Sequence, residues 1–123
     1  MKNYIILGSG PVSKYAISIL FEKKINKQNI FLIDLFDKNY IKKKILGIPI
    51  YKHIDKFDFH EIHNSVFLIA NSKNEMRKFL INKLKDKKLS STTLISKYSY
   101  VCQSAIIGDG SIICPNVYIG PNT

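Results

Sequence analysis

At 123 residues, with 46% hydrophobic and 23% charged positions, the chain has the composition of one globular unit with a single core. Its net charge is +10, yet the basic residues are scattered and Arg77 is the single arginine among 19 of them; nucleic-acid recognition favours arginine forks, so the charge suits an anionic small molecule and predicts no nucleic-acid partner. No apolar run reaches the roughly 18 to 20 residues that cross a bilayer, and the opening run is too short for a secretory leader, which predicts a cytoplasmic protein without a membrane span.

Tyr4-Ile5-Ile6-Leu7 reads as a first buried strand, ending in Gly8-Ser9-Gly10-Pro11. From Ser13 the period becomes helical, with Ala16, Ile17, Leu20 and Phe21 on one face. Ile30-Phe31-Leu32-Ile33 is a second buried strand, closed by Asp34. Strand, glycine turn, helix, strand and acid in that order make a βαβ unit. Lys38 to Lys44 is polar and reads as loop or a short helix. Gly47 to Tyr51 reads as a brief strand that Pro49 confines to an edge. Residues 65–70 form a third buried strand, and Asn71-Ser72-Lys73-Asn74 makes a turn that caps a helix carrying Met76, Phe79, Leu80 and Leu84 inward. Thr92 to Ile95 predicts a last strand. The alternation predicts an α/β class: a small Rossmann-like parallel sheet with covered faces over residues 1–95.

Beyond residue 95 the pattern changes. Val101, Ile107, Ile113 and Ile119 fall six residues apart, followed at once by the small residues Cys102, Gly108, Cys114 and Gly120, and four positions later by Ala105, Ser111, Val117 and Thr123. This is a hexapeptide repeat. The aliphatic residue points into a triangular prism, the small one fits its corner, and glycine permits the turn. Three hexapeptides make a coil, so residues 96–123 predict the start of a left-handed β-helix, about one and a third coils of it. One coil cannot bury its own core, so the chain is expected to be a truncated portion of a longer protein. Cys102 and Cys114, with no CxxC pair, are expected reduced and buried.

Gly8-Ser9-Gly10-Pro11-Val12-Ser13 is an incomplete GxGxxG, with Ser13 where the third glycine belongs. It reads equally as an ordinary strand-to-helix turn. Asp34, 24 residues beyond Gly10, suits a ribose hydroxyl, which keeps an NAD- or CoA-binding Rossmann-like domain as the alternative. His60 and His63, with Asp58 nearby, lack a third ligand at suitable spacing and read as a solvated loop, so no metal is expected; His53 has no evident partner. No nucleophile and base can be paired from sequence order, and no catalytic residue is assigned. Phe31, Phe67 and Phe79 read as core.

A βαβ domain running into hexapeptides resembles the NeuD/PglD family of bacterial acetyltransferases, which act on nucleotide-activated amino sugars or sialic acid. The resemblance spans residues 3–123. It is carried by Phe67-Leu68-Ile69-Ala70 leading to Asn74-Glu75-Met76-Arg77, by Ser104-Ala105-Ile106-Ile107-Gly108, by Ile33-Asp34, and by Leu46-Gly47-Ile48-Pro49-Ile50, similar to the family's G-x-P-V segment. It implies a sugar nucleotide bound by the N-terminal domain and acetyl-CoA bound between subunits of a homotrimer. It further implies a histidine base in a later coil, outside these residues. Position by position, Gly8, Ser9 and Gly10 match the family's first-strand turn, Asp34 its strand-end acid, and Asn74 and Arg77 its polar turn and helix start. Pro11-Val12-Ser13 stands where the family continues Gly-His-Gly, and Ser72-Lys73 stands where it has Gly-Asn. A binding module without catalysis, sensing a nucleotide sugar or serving as a scaffold, is the other reading of the same features.

Overall fold

Apolar runs of four or five residues, too short for helices and rich in isoleucine, form the centre of the molecule. The computed structural model describes residues 2–35, 44–52, 64–87 and 89–123. Its first elements are β1 (Asn3–Leu7), α1 (Pro11–Glu22), β2 (Ile30–Ile33), β3 (Lys44–Ile45), β4 (Ile48–Tyr51), β5 (Ser65–Ile69), α2 (Asn74–Leu84) and β6 (Ser90–Ser91). They build a six-stranded sheet in the order β3-β4-β2-β1-β5-β6. Every neighbour pair is parallel except β3 with β4.

Period-two alternation along the central strands sends side chains to two separate cores. Ile6, Leu32 and Leu68 pack under Ala16, Ile17 and Leu20 of α1. Ile5, Leu7, Ile33 and Ile69 pack under Leu80 and Leu84 of α2. Pro11 opens α1, where its missing amide and fixed φ suit the first helical position. Pro49 does not lie on the edge strand: Ile48–Tyr51 is the second strand in, and the two-residue β3 covers it through a hairpin pairing Lys44 with Pro49. Phe79 likewise departs from its expected place in the core. It is 46% exposed, with the Lys83 ammonium 5.9 Å from its ring centre, because Leu80 and Leu84 take the inward face of α2.

Of the strand expected over Thr92–Ile95 only Leu94–Ile95 forms, and a separate short strand precedes it. Ser90–Ser91 completes the sheet beside β5, whereas β7 (Leu94–Ile95) leaves it. With β8 (Tyr100–Val101), β9 (Ile112–Ile113) and β10 (Tyr118–Ile119), it forms a coil that returns onto itself. Leu94 and Ile95 pair in parallel with Ile112 and Ile113, and Tyr100 and Val101 with Tyr118 and Ile119, both at a separation of 18 residues. The paired run therefore starts at Leu94, seven positions before Val101. Amide-to-carbonyl bonds of 2.8–2.9 Å from Leu94, Ser96, Tyr100, Cys102 and Ile106 to the turn above hold the layers together.

Val101, Ile107 and Ile119 are half-buried, while the residues just before them, Tyr100, Ile106 and Tyr118, are 58%, 87% and 70% exposed. Neither cysteine reaches full burial; both are free and half-buried. The corners differ from the expected ones. Gly108 and Gly120 have ordinary backbone angles, and the left-handed conformation falls two residues later, at Gly110, Asn116 and Asn122, with φ of 80°, 63° and 60°. Asparagine tolerates that region better than other side chains, and a β-branched residue there is strained. Asn116→Val is expected to lower unfolding free energy by about 1–2 kcal/mol in urea titrations, and Asn116→Gly to retain wild-type stability.

Candidate functional site

Three strand ends meet where the chain changes direction around β1. From β1 the chain crosses through α1 to β2 on one side, and later returns to place β5 on the other. In an open α/β sheet the crevice at such a switch point, beyond the carboxyl ends of the strands, is where ligands bind. The ladder persists to the last residue of each strand. Gly8 donates its amide to Ile33, Asp34 to Tyr51 and Ala70 to Leu7, at 2.8–2.9 Å.

The resulting cleft, about 260 Å³, is lined by Gly8 to Val12 after β1, by Asp34 after β2, and by Ala70 to Ser72 after β5. Gly8 is required for its shape. At φ +138° it sits where an added Cβ would run into the Ala70 carbonyl oxygen. Gly10 has open space at the equivalent position, so its backbone is accessible from the cleft. Ser13, which replaces the third glycine of the motif, is fully buried and donates its hydroxyl to the Gly10 carbonyl, fixing the turn into α1. The Ser9 hydroxyl donates to Asp34 Oδ2, tying the glycine turn to the acid at the end of β2. The positive end of the α1 dipole opens on the same space, where it favours an anion.

A second cleft, about 420 Å³, adjoins the first and shares Val12, Asn71 and Ser72 with it. Its remaining walls are Ile69 and Arg77 from the α/β unit and Asp109 to Ile113 from the coil. Gly8, Ser9, Gly10 and Asp34 thus come together in one cleft, and Arg77 lines the neighbouring one. Asn74 is exposed at the first residue of α2 and lines neither. The expected side-chain cap is absent as well. Lys73 is the N-cap, and the Asn71 side chain turns the chain instead by accepting the Lys73 amide at 2.9 Å. The cleft position is therefore Asn71, three residues before Asn74. Its place directly after a buried parallel strand was the signal for it.

Among the described residues Arg77 makes no ion pair. Its guanidinium donates to the carbonyls of Ile69, at 3.1 Å, and Asn71, at 3.2 Å, bracing the strand end that walls both clefts. His53, His60, His63 and Asp58 lie outside the described residues. No group of three metal-ligating side chains occurs among the described residues. In the coil, and lining neither cleft, the Ser104 hydroxyl beside Cys102, 3.5 Å away, together with nearby amides holds that thiol below its ordinary pKa range.

No protein-family model and no curated protein matches the chain. Among solved structures it is similar to PerB from Caulobacter crescentus, determined in complex with CoA and GDP-perosamine. The match has 20% identity, a TM-score of 0.77, and covers 98% of this chain and 55% of that one. Two mutants of perosamine N-acetyltransferase from the same organism, also with CoA and GDP-perosamine, give TM-scores of 0.79 at 21% identity with the same coverage. At that identity the likeness is one of fold, and the chain spans about half the length of these proteins. Arg77→Ala is expected to destabilise the chain by about 1–3 kcal/mol in urea unfolding, because two strand-end carbonyls lose a charged donor.

Proposed function

We propose that the chain is the sugar-nucleotide-binding portion of an acetyl-CoA-dependent sugar acetyltransferase related to the NeuD/PglD group, acting in glycan or polysaccharide synthesis. The observation that carries this reading is the order of its parts. A switch-point cleft with a glycine turn, a helix N-terminus and a strand-end acid runs directly into a coil of 18-residue period. The fold likeness to proteins solved with CoA and GDP-perosamine supports it. In this reading the coil starts a left-handed β-helix, whose complete form assembles as a homotrimer.

The chemistry assigns this chain a binding role. A diphosphate fits the amides of Ser9, Gly10 and Val12 and the α1 dipole, the Gly8 amide being held by Ile33 and Pro11 having none, and Asp34 accepts a hydroxyl or an N–H from the nucleoside. The sugar then extends past Val12 and Asn71 into the second cleft. Acetyl transfer joins the acceptor amine or hydroxyl to the thioester carbonyl carbon, releasing CoA as the thiol while a base takes the acceptor proton. None of the chain's histidines lies among the described residues, and no residue of either cleft is given that proton-taking role.

Calorimetric titration of the chain with GDP- and UDP-linked amino sugars, CMP-sialic acid and NAD tests the reading. Binding of a sugar nucleotide without NAD is expected, and Asp34→Ala is expected to weaken it about tenfold with the fold retained. Binding of NAD alone would overturn the reading in favour of a dinucleotide-binding Rossmann domain.

A further inference from the structure

An acid at the last residue of a helix faces the negative end of its dipole and is disfavoured there unless other donors hold it. Glu22 ends α1, whose last turn holds no basic residue, and Lys23 follows as the C-cap. Its carboxylate instead accepts from the coil. The Ser96 hydroxyl lies 3.0 Å from both of its oxygens, and the Lys97 amide is 3.0 Å from Oε1. Ser96 is buried and in turn accepts the Tyr98 amide at 3.1 Å, while its own amide bonds Ile113 in the next layer. Charge-assisted bonds of this kind are short, directional and stronger than neutral ones.

The contact beside this network has no direction. Leu94, the first residue of the coil, is buried among Ala16, Ile17 and Leu20, with Ile112 packed against the same cluster. Apolar contact holds the coil on α1, and hydrophobic burial alone leaves its angle free to slide. Glu22 supplies the direction. At the other end of the same helix, about 15 Å away at 1.5 Å per residue, Val12 lines both clefts. The coil residues Asp109 to Ile113 form the opposite wall of the second one.

We infer that Glu22 is a positioning residue: through Ser96 and Lys97 it fixes the angle of the coil on α1, and so the width of the second cleft, without touching a ligand. Its consequence for binding rests on the sugar-nucleotide reading above. The first cleft is built within the α/β unit and is independent of Glu22. The second is built across the joint and depends on it. A nucleoside diphosphate should therefore bind regardless of Glu22, and the added affinity from the sugar should require it.

The test is ligand-free at its base. Spin labels at Lys78→Cys and Gln103→Cys, in a Cys102→Ser, Cys114→Ser background, report the distance between α2 and the coil. A single narrow distribution is expected with Glu22 and with Glu22→Gln, whose amide can accept from Lys97 and donate to Ser96. A broadened one is expected with Glu22→Ala, along with at least tenfold faster exchange of the Lys97 amide. GDP and a GDP-linked amino sugar then serve as probes: Glu22→Ala should leave GDP affinity within twofold and reduce the advantage of the sugar nucleotide about tenfold. A narrow distribution in Glu22→Ala, in a chain whose far-ultraviolet spectrum is native, overturns the inference. So does a sugar advantage that survives a broadened distribution. If the unsubstituted chain binds neither probe, the functional reading fails while the distance measurement still decides the positioning role.

Discussion

The backbone of β1 leaves the sheet so close to that of β5 that Gly8 has no room for a side chain beside the Ala70 carbonyl. This contact places two strand ends side by side, and the site follows from it. With β1 flanked by β2 on one side and β5 on the other, the glycine turn, Asp34 and Asn71 have to converge. Their convergence is a property of the backbone, kept by ladder bonds to the last residue of each strand. The Ser9 to Asp34 bond then fastens the turn to the acid.

A second joint attaches the coil. It combines a buried apolar anchor, Leu94, with a directional one, Glu22. The two act differently: burial holds the parts together, and charged hydrogen bonds hold them at an angle. The coil carries its own repeated bonding scheme of 18 residues, and it needs the α/β unit because a short stack leaves its end apolar faces open. Ile112 shows the benefit. It occupies the position that is exposed in the other turns, yet here it is covered by the α1 core.

Much of this was legible in the residue order. Apolar runs at residues 4–7, 30–33 and 65–70 are buried strands because a sheet covered on both faces needs no polar alternation. Val101, Ile107, Ile113 and Ile119, picked out by their six-residue spacing, are half-buried in the coil. The turn at Gly8 to Gly10 and the acid Asp34 were found from motif spacing, and the structure brings them into one cleft. Other features were hidden for physical reasons. The bond between Glu22 and Ser96 spans 74 positions, and an acid at a helix end reads as solvated when its partner is unknown. Corner conformation depends on φ rather than on size, so small residues pointed to Gly108 and Gly120 where the positive φ belongs to Gly110, Asn116 and Asn122. The brace from Arg77 to the carbonyls of Ile69 and Asn71 was hidden as well, because a cleft-lining arginine and a strand brace have the same neighbours in sequence, and here one side chain does both.

In the function proposed above, a sugar nucleotide lies across the ends of β1, β2 and β5 with its diphosphate at the glycine turn. Amide chemical-shift mapping with a GDP-linked amino sugar tests this most directly. The largest shifts are expected at Gly8, Ser9, Gly10, Val12, Asp34 and Asn71, with smaller ones at Asp109 to Ser111 that GDP alone does not produce. Saturable shifts confined to other surfaces, leaving the Ser9, Gly10 and Val12 amides unmoved, would contradict it.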